Sequence, residues 1–161
     1  MPIRPATPAD VSVVLPMVAK ICALHETWDE AKYGFLPHPE QLYEGWLKRM
    51  ATSESSVFLV AAAPEQPEKL TGFIVATVEK EIPIYRLKEY AFIHDLWVEE
   101  EYRRSGIARQ MVMETIDRFK QMGVQQIRLD TAAVNESARR LFSSCGFRVS
   151  TIEMLVELGE D

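Results

Sequence analysis

Arg103-Arg104-Ser105-Gly106-Ile107-Ala108 joins two stretches of opposite character. Before it, Ala91 to Val98 reads as a strand that leads into the charged turn Glu99-Glu100-Glu101-Tyr102. After it, Ala108, Met111, Val112, Thr115, Ile116, Phe119 and Met122 recur at helical spacing until Gly123, which suits a left-handed cap. A strand that turns tightly into a helix leaves the first helical N–H groups without intrahelical acceptors. Together with the helix dipole they form an anion site. Gly106 lets a ligand approach the backbone closely. Arg103, Arg104 and Arg109 crowd the same turn, where a cation is disfavoured by about 0.3–1 kcal/mol unless an anion reverses the repulsion. A solvated basic turn would show the same residues. The segment matches neither G-x-x-x-x-G-K-[ST] nor a G-x-G-x-x-G after a strand, which argues against a nucleotide hydrolase.

Outward from this turn the chain alternates strand and helix signals. Val57 to Ala62 and Phe73 to Val78 are dense β-type runs separated by a polar turn at Pro64 to Lys69, and they read as antiparallel neighbours. Thr7-Pro8-Ala9-Asp10 opens a helix whose apolar face uses Val11, Val14, Leu15, Val18, Ile21 and Cys22, with Pro16 expected to bend or interrupt its first turns. A second helix runs from Glu40 to about Met50. Between them, His25 to His38 carries Trp28, Tyr33 and Phe35 without a clear period, as expected of a loop or broken helix that shapes a pocket. Downstream, Ile127 to Thr131 reads as a strand, Asn135 to Cys145 as a short helix closed by Gly146, and Thr151 to Leu158 as a last strand. The fold class is mixed α/β, without internal repeats.

The 161 residues fit one domain, 1–161, and 47% hydrophobic content supplies a core that needs neither metal nor disulfide. Cys22 and Cys145 have no nearby ligand partners, so no metal site is expected and both read as buried thiols. No stretch approaches the roughly 20 apolar residues of a membrane span, and Met1-Pro2-Ile3-Arg4 lacks a secretory pattern. A cytoplasmic chain with no membrane partner is the expectation. A net charge of -6 argues against non-specific nucleic-acid binding and fits a cationic partner.

The turn resembles the pyrophosphate signature of the GNAT superfamily of N-acetyltransferases, Gln/Arg-x-x-Gly-x-Gly/Ala, here Arg103-x-x-Gly106-x-Ala108. Ile3 to Asp10 is similar to that family's first strand and helix start, and Ile93-His94-Asp95-Leu96-Trp97-Val98 to its central strand. Asn135-x-x-Ala138-x-x-Leu141-Phe142-x-x-x-Gly146-Phe147 resembles its Asn-x-x-Ala-x-x-Leu-Tyr-x-x-x-Gly-Phe segment. The resemblance implies a central, mostly antiparallel mixed sheet with helices on both faces, and acetyl-coenzyme A as co-substrate. It places pantetheine along the backbone of Leu96, Trp97 and Val98, and the pyrophosphate on Arg103, Arg104, Ser105, Gly106, Ile107, Ala108 and Arg109. Asn135, Ser137, Ala138, Arg139 and Phe142 would line the coenzyme's far side, Asn135 also serving as a helix cap. Family members often form homodimers.

An amine acceptor with a pKa near 10.4 must lose a proton at a cost of about 4.6 kcal/mol at pH 7. His94 is a candidate base, standing where some family members carry a glutamate. Asp95 lies on the opposite side of an ideal strand unless a bulge intervenes, and Glu81 is a further candidate. The Leu96 backbone N–H would meet the charge that develops on the thioester oxygen. Phe142 departs from the family, because a tyrosine there commonly protonates the leaving thiolate. A thiol of pKa about 8.5 leaves unprotonated for only about 2 kcal/mol. Tyr33, Tyr85 or Tyr102 are substitutes. Trp28, Asp29, Glu30, Tyr33 and Phe35 are candidate contacts for a small cationic or polyamine-like acceptor. Phe142 also leaves open a non-catalytic coenzyme-binding sensor or interaction module.

Overall fold

A computed structural model describes residues 2–159; the remainder of the expected 1–161 domain lies outside the described residues. Five strands form one sheet in the order β1-β2-β3-β4-β5: Ile3–Pro5, Ser56–Ala63, Gln66–Lys80, Glu89–Val98 and Ile127–Leu129. The first four are antiparallel and β5 runs parallel to β4. Helices α1 (Val11–Trp28), α2 (Glu30–Tyr33) and α3 (Pro39–Met50) precede β2, whereas α4 (Ile107–Gln121) and α5 (Glu136–Ser144) flank β5. The expected mixed, mostly antiparallel sheet is therefore the observed one.

Two apolar clusters sandwich the sheet. Val11, Val14, Met17, Val18 and Ile21 of α1 and Leu47 of α3 pack on Phe58, Val60, Phe73 and Val75. Met111, Val112 and Phe119 of α4 and Phe142 of α5 pack on Leu59, Ile74, Ala76 and Ile93. Period-two alternation sends successive strand residues to opposite clusters, while 3.6-residue periodicity aims one stripe of each helix at them. Gly72 is required by close approach, since a Cβ there would stand 2.5 Å from the Trp97 carbonyl oxygen, under α4.

Several elements depart from expectation. Pro16 does not interrupt α1, which runs unbroken through Trp28. From Pro8 to Trp28 the helical segment is also long and apolar enough to cross a membrane by length and composition, contrary to the reading that no stretch approaches this. Its apolar face is the one buried on the sheet. The break expected between His25 and His38 falls at Asp29, whose extended backbone separates α1 from α2. Only Pro64 and Glu65 separate β2 from β3, so β3 begins earlier than expected. Most plainly, Thr151 to Leu158 forms no strand.

The start of α1 is locked by charge. Asp10 accepts the backbone N–H of Thr7 at 2.8 Å and two bonds from Arg4 at 2.7 and 2.9 Å. The Arg4 hydrogen bonds hold the Asp10 carboxyl down at about 2, against an ordinary 3.8. A depressed carboxylate stabilises the fold above its unfolded pKa, and the contribution is lost as pH falls through the folded value. Asp10→Asn should therefore lower stability at pH 7 by about 1 kcal/mol and flatten the loss of stability between pH 4 and 2, measured by urea denaturation across pH.

Candidate active site

The decisive irregularity lies in β4. Val75 pairs with Asp95, but Ala76 pairs with Ile93, so His94 is an extra residue in the ladder. Such a bulge shifts the face of everything beyond it. Phe92 and His94 are in ring contact at 5.1 Å, His94 stands edge-on to Trp46 at 5.0 Å, and Asp95 accepts a 2.5 Å bond from the Tyr43 hydroxyl. Trp46 and Tyr43 both belong to α3. His94 and Asp95 thus share the α3 side of the sheet, and the opposite placement expected of a regular strand does not hold.

His94 sits in a short polar chain. Its Nε2 lies 2.7 Å from Thr77 Oγ1, which donates to Glu79 Oε1 at 2.7 Å. A hydroxyl has one proton, and Glu79 takes it. The Thr77 oxygen must then accept from His94, which puts the ring proton on Nε2 and leaves the lone pair of a neutral ring on Nδ1. Among the described residues Nδ1 has no hydrogen-bond partner, and it is not a buried unpaired atom. Burial lowers the His94 pKa, against the opposing pull of Asp95 and Glu79. Burial also pushes the Asp95 carboxyl up, with the Tyr43 bond pulling it back.

Tyr43, Trp46, Thr77 and Glu79 were not among the sequence candidates. Thr77 and Glu79 are two apart on one strand, and Tyr43 and Trp46 three apart on one helix, so each pair shares a face. Their approach to His94 depends on register, which neither spacing reveals. Glu81 does not join the site: it lies just past the end of β3, accepts a bond from Arg128 at 3.4 Å and, among the described residues, makes no bond or ion pair with His94.

β5 accompanies β4 only from Ala91 to Ile93, so from His94 to Val98 the strand has no neighbour on that side among the described residues. Those backbone groups, Leu96 among them, are free to pair with an extended ligand. The Val98 carbonyl is the exception, because Arg103 Nε donates to it at 2.8 Å. The Arg103 guanidinium also stacks on Trp97, 4.6 Å from the ring centre. Arg103 is thus docked on the strand. Arg104 and Arg109 are exposed and, among the described residues, form no ion pair.

In the loop itself, Arg104 and Gly106 adopt positive φ, 63° and 84°. The Ser105 hydroxyl donates to the Tyr102 carbonyl at 2.5 Å, while buried Ile107 anchors the first turn of α4. The first helical bond runs from the Gln110 N–H to the Gly106 carbonyl. The consecutive amides of Arg104 to Arg109 have no acceptor among the described residues, and a Cβ on Gly106 would meet nothing within 4 Å. These residues fit a diphosphate: a row of unpaired donors, a helix dipole and two free cations beside open space. Among the described residues no cluster of three His, Cys, Asp or Glu could hold a metal ion.

On α5, Asn135 accepts from the Ala138 N–H at 3.2 Å, so it is a helix cap, with Ser137 and Arg139 exposed beside it. Phe142 is buried edge-on to Phe147 at 5.4 Å and serves the core. Of the proposed phenol substitutes, Tyr33 packs on His25 at 4.8 Å, Lys69 lies over the Tyr102 ring, and Tyr85 is exposed.

A cleft of about 290 Å³ opens between α1 and the approach to α3, lined by Cys22, Glu26, Phe35, Leu36, Pro37 and Pro39. Of the expected acceptor contacts only Phe35 lines it. Trp28 stands edge-on to His25, Asp29 caps α2 and Glu30 lies in its first turn. Burial, with the charges of Asp95, Glu40 and Glu26 adding to it, pushes the half-buried Cys22 thiol up to about 11, and Glu26 itself lines the cleft.

The Acetyltransferase (GNAT) family model matches residues 21–147. The chain belongs to the GNAT family. It is 33% identical to human N-acetyltransferase 8 over 101 residues, 63% of this chain and 42% of that protein. The chain spans between 42% and 65% of the length of that relative, YycN of Bacillus subtilis and the probable N-acetyltransferase camello of Xenopus tropicalis. Among solved structures, a tetramutant of BH1408 protein from Bacillus halodurans superposes with a TM-score of 0.84 at 26% identity, covering 98% of this chain and 100% of that one. An aminoglycoside 6'-N-acetyltransferase from Acinetobacter baumannii, at 22% identity, shares the fold with a TM-score of 0.68 over 99% of this chain and 97% of that one.

If the loop between β4 and α4 is the GNAT anion site, a carboxylate there opposes the ligand. Gly106→Glu should weaken coenzyme A binding by at least about tenfold, through like charge and a strained left-handed side chain. Calorimetry reads the affinity, and unchanged binding would remove the loop from the site.

Proposed function

We propose that this GNAT member transfers an acetyl group from acetyl-coenzyme A to the primary amine of a small cationic acceptor. The observation that carries the reading is the bulge at His94. It brings Asp95 to the α3 side of the sheet beside His94, whose Nδ1 has no partner among the described residues, at the point where β4 loses its β5 neighbour. An amine arrives as an ammonium ion and must be deprotonated before it attacks. His94, kept neutral at pH 7 by burial, accepts that proton on Nδ1 while Thr77 and Glu79 hold its Nε2–H. Bound acetyl-coenzyme A supplies the activated thioester. Loop 104–109 and the open edge of β4 are its supports, and the Leu96 amide is the candidate donor to the developing oxyanion.

The Glu26 carboxylate in the cleft lining favours a positively charged acceptor there, as does the net charge of -6. The similarity to proteins named N-acetyltransferases supports nitrogen as the acceptor atom. Phe142 does not disable the scheme, because the coenzyme thiol is acidic enough to depart as thiolate.

Release of free coenzyme thiol, followed across polyamines, aminoglycosides, amino acids and peptide amines, tests the reaction. Turnover is expected with cationic amines, and its absence with every amine would defeat the reading. His94→Ala should lower kcat by about 10²–10⁴-fold. Since burial depresses the His94 pKa below 6.5, kcat should hold level from neutrality down past pH 6.5 and fall only at lower pH. That acid limb should vanish in His94→Ala.

A further inference from the structure

The cleft beside the polar cluster holds one charge that the transfer chemistry leaves unused. Ala19, Cys22, Ala23 and Glu26 recur at helical spacing along one face of α1, and Phe35, Leu36 and Pro37 form the facing wall. Glu26 is the one acidic or basic residue in that lining. Its Oε1 accepts the Phe35 N–H at 2.7 Å, whereas Oε2 has no hydrogen-bond or ion-pair partner among the described residues. The Phe35 bond ties the far wall to α1 and orients the carboxylate. One oxygen is thereby left to take a donor from a guest. With no cation in the lining to neutralise it and apolar walls on both sides, that oxygen attracts a positive charge.

An amine that reacts at His94 cannot supply this charge, because it must lose its own before it attacks. Glu26 therefore suits a second ammonium on the same molecule. Cys22 lies one helical turn before Glu26, about 6 Å along α1, and feels the charges of both Glu26 and Asp95. Asp95 in turn neighbours His94. Between the two ends a guest meets Ala23, the protonated Cys22 thiol and the Phe35 ring, which suit hydrocarbon and leave hydroxyl groups unpaired. The cleft volume of about 290 Å³ equals that of about ten water molecules at ~30 Å³ each, room for a short aliphatic chain.

Building on the amine transfer proposed above, we propose that the acceptor is a linear diamine, with its reacting nitrogen at His94, its methylene chain in the cleft and its second ammonium on Glu26 Oε2. Glu26 is then a specificity-determining residue that takes no part in the chemistry. A carboxylate on the acceptor, as in an amino acid, would meet like charge from Glu26 and be disfavoured.

1,5-Diaminopentane and hexylamine have equal numbers of non-hydrogen atoms and differ by an ammonium in place of a terminal methyl, so the ratio of their kcat/KM values isolates the second charge. The diamine should be favoured at least about tenfold, chiefly through KM. Glu26→Gln, which keeps an oxygen for the Phe35 N–H, should bring the ratio to within about twofold of one. Equal efficiency of the two amines with the wild-type chain overturns the proposal, as does a preference that survives Glu26→Gln. Should that variant fail to fold, Leu36→Lys places a competing cation at the lip, where Leu36 is 70% exposed. Loss of the diamine preference there supports the proposal, and an intact preference overturns it. If no amine is acetylated, the transfer reading fails by itself, and calorimetry with the same two amines decides the cleft. Tighter binding of 1,5-diaminopentane that Glu26→Gln abolishes supports the Glu26 site, whereas equal binding or none overturns it.

Discussion

Where Val75 gives way to Ala76, the β3–β4 ladder slips by one residue, and everything beyond it on β4 changes side. Without the slip, Trp97 would follow Ala91 and Ile93 onto the α4 face. With it, Trp97 packs in the α1 cluster and Leu96 in the α4 cluster. The imidazole of His94, the carboxyl of Asp95 and the aromatic pair of α3 meet because one strand holds one residue more than its partner. A bulge also bends and twists its strand, and β4 parts from β5 immediately after Ile93. One local insertion therefore accompanies both the polar cluster and the open edge beside it.

Polarity of position is the second organising constraint. Every donor unpaired by local structure in the turn before α4 lies on one short stretch, from Arg104 to Arg109, while the neighbouring side chains are tied down. The acidic groups gather on the other side of the sheet, around Cys22 and Asp95. Unpaired donors and acidic groups thus lie on either side of the central strand, a division that net charge alone would not reveal.

Much of this was legible in the sequence because it is local. The helical stripe from Ala108 to Met122, the cap at Asn135 and the glycine turn are written within a few residues of themselves, and the structure holds them within one or two positions. The phase of β4 is different in kind. His94 and Asp95 read as facing apart because a regular strand makes them so, and only the partner strand determines that a residue is extra. The same blindness to register made Glu81 a candidate and passed over Glu79 two residues earlier, although only Glu79 reaches the histidine's polar chain. Pro16 was expected to disturb a helix, but burial of Val11, Val14, Met17, Val18 and Ile21 on the sheet outweighs one missing backbone bond. For Thr151 to Leu158 the alternation predicts a strand, but no strand forms there, because among the described residues no neighbouring strand pairs with it.

Arg103 gives the anion loop a property beyond charge. Its guanidinium is hydrogen-bonded to Val98 and stacked on Trp97, so the first residue of the turn is fastened to the last residues of the strand before any ligand arrives. A long arginine left loose would surrender side-chain freedom worth up to about 2 kcal/mol on ordering. Here that entropy is already lost on folding, along with the cost of holding Arg104 at positive φ. The first residue of the turn is thus held by the chain's own contacts, and a diphosphate bound there would not have to order it.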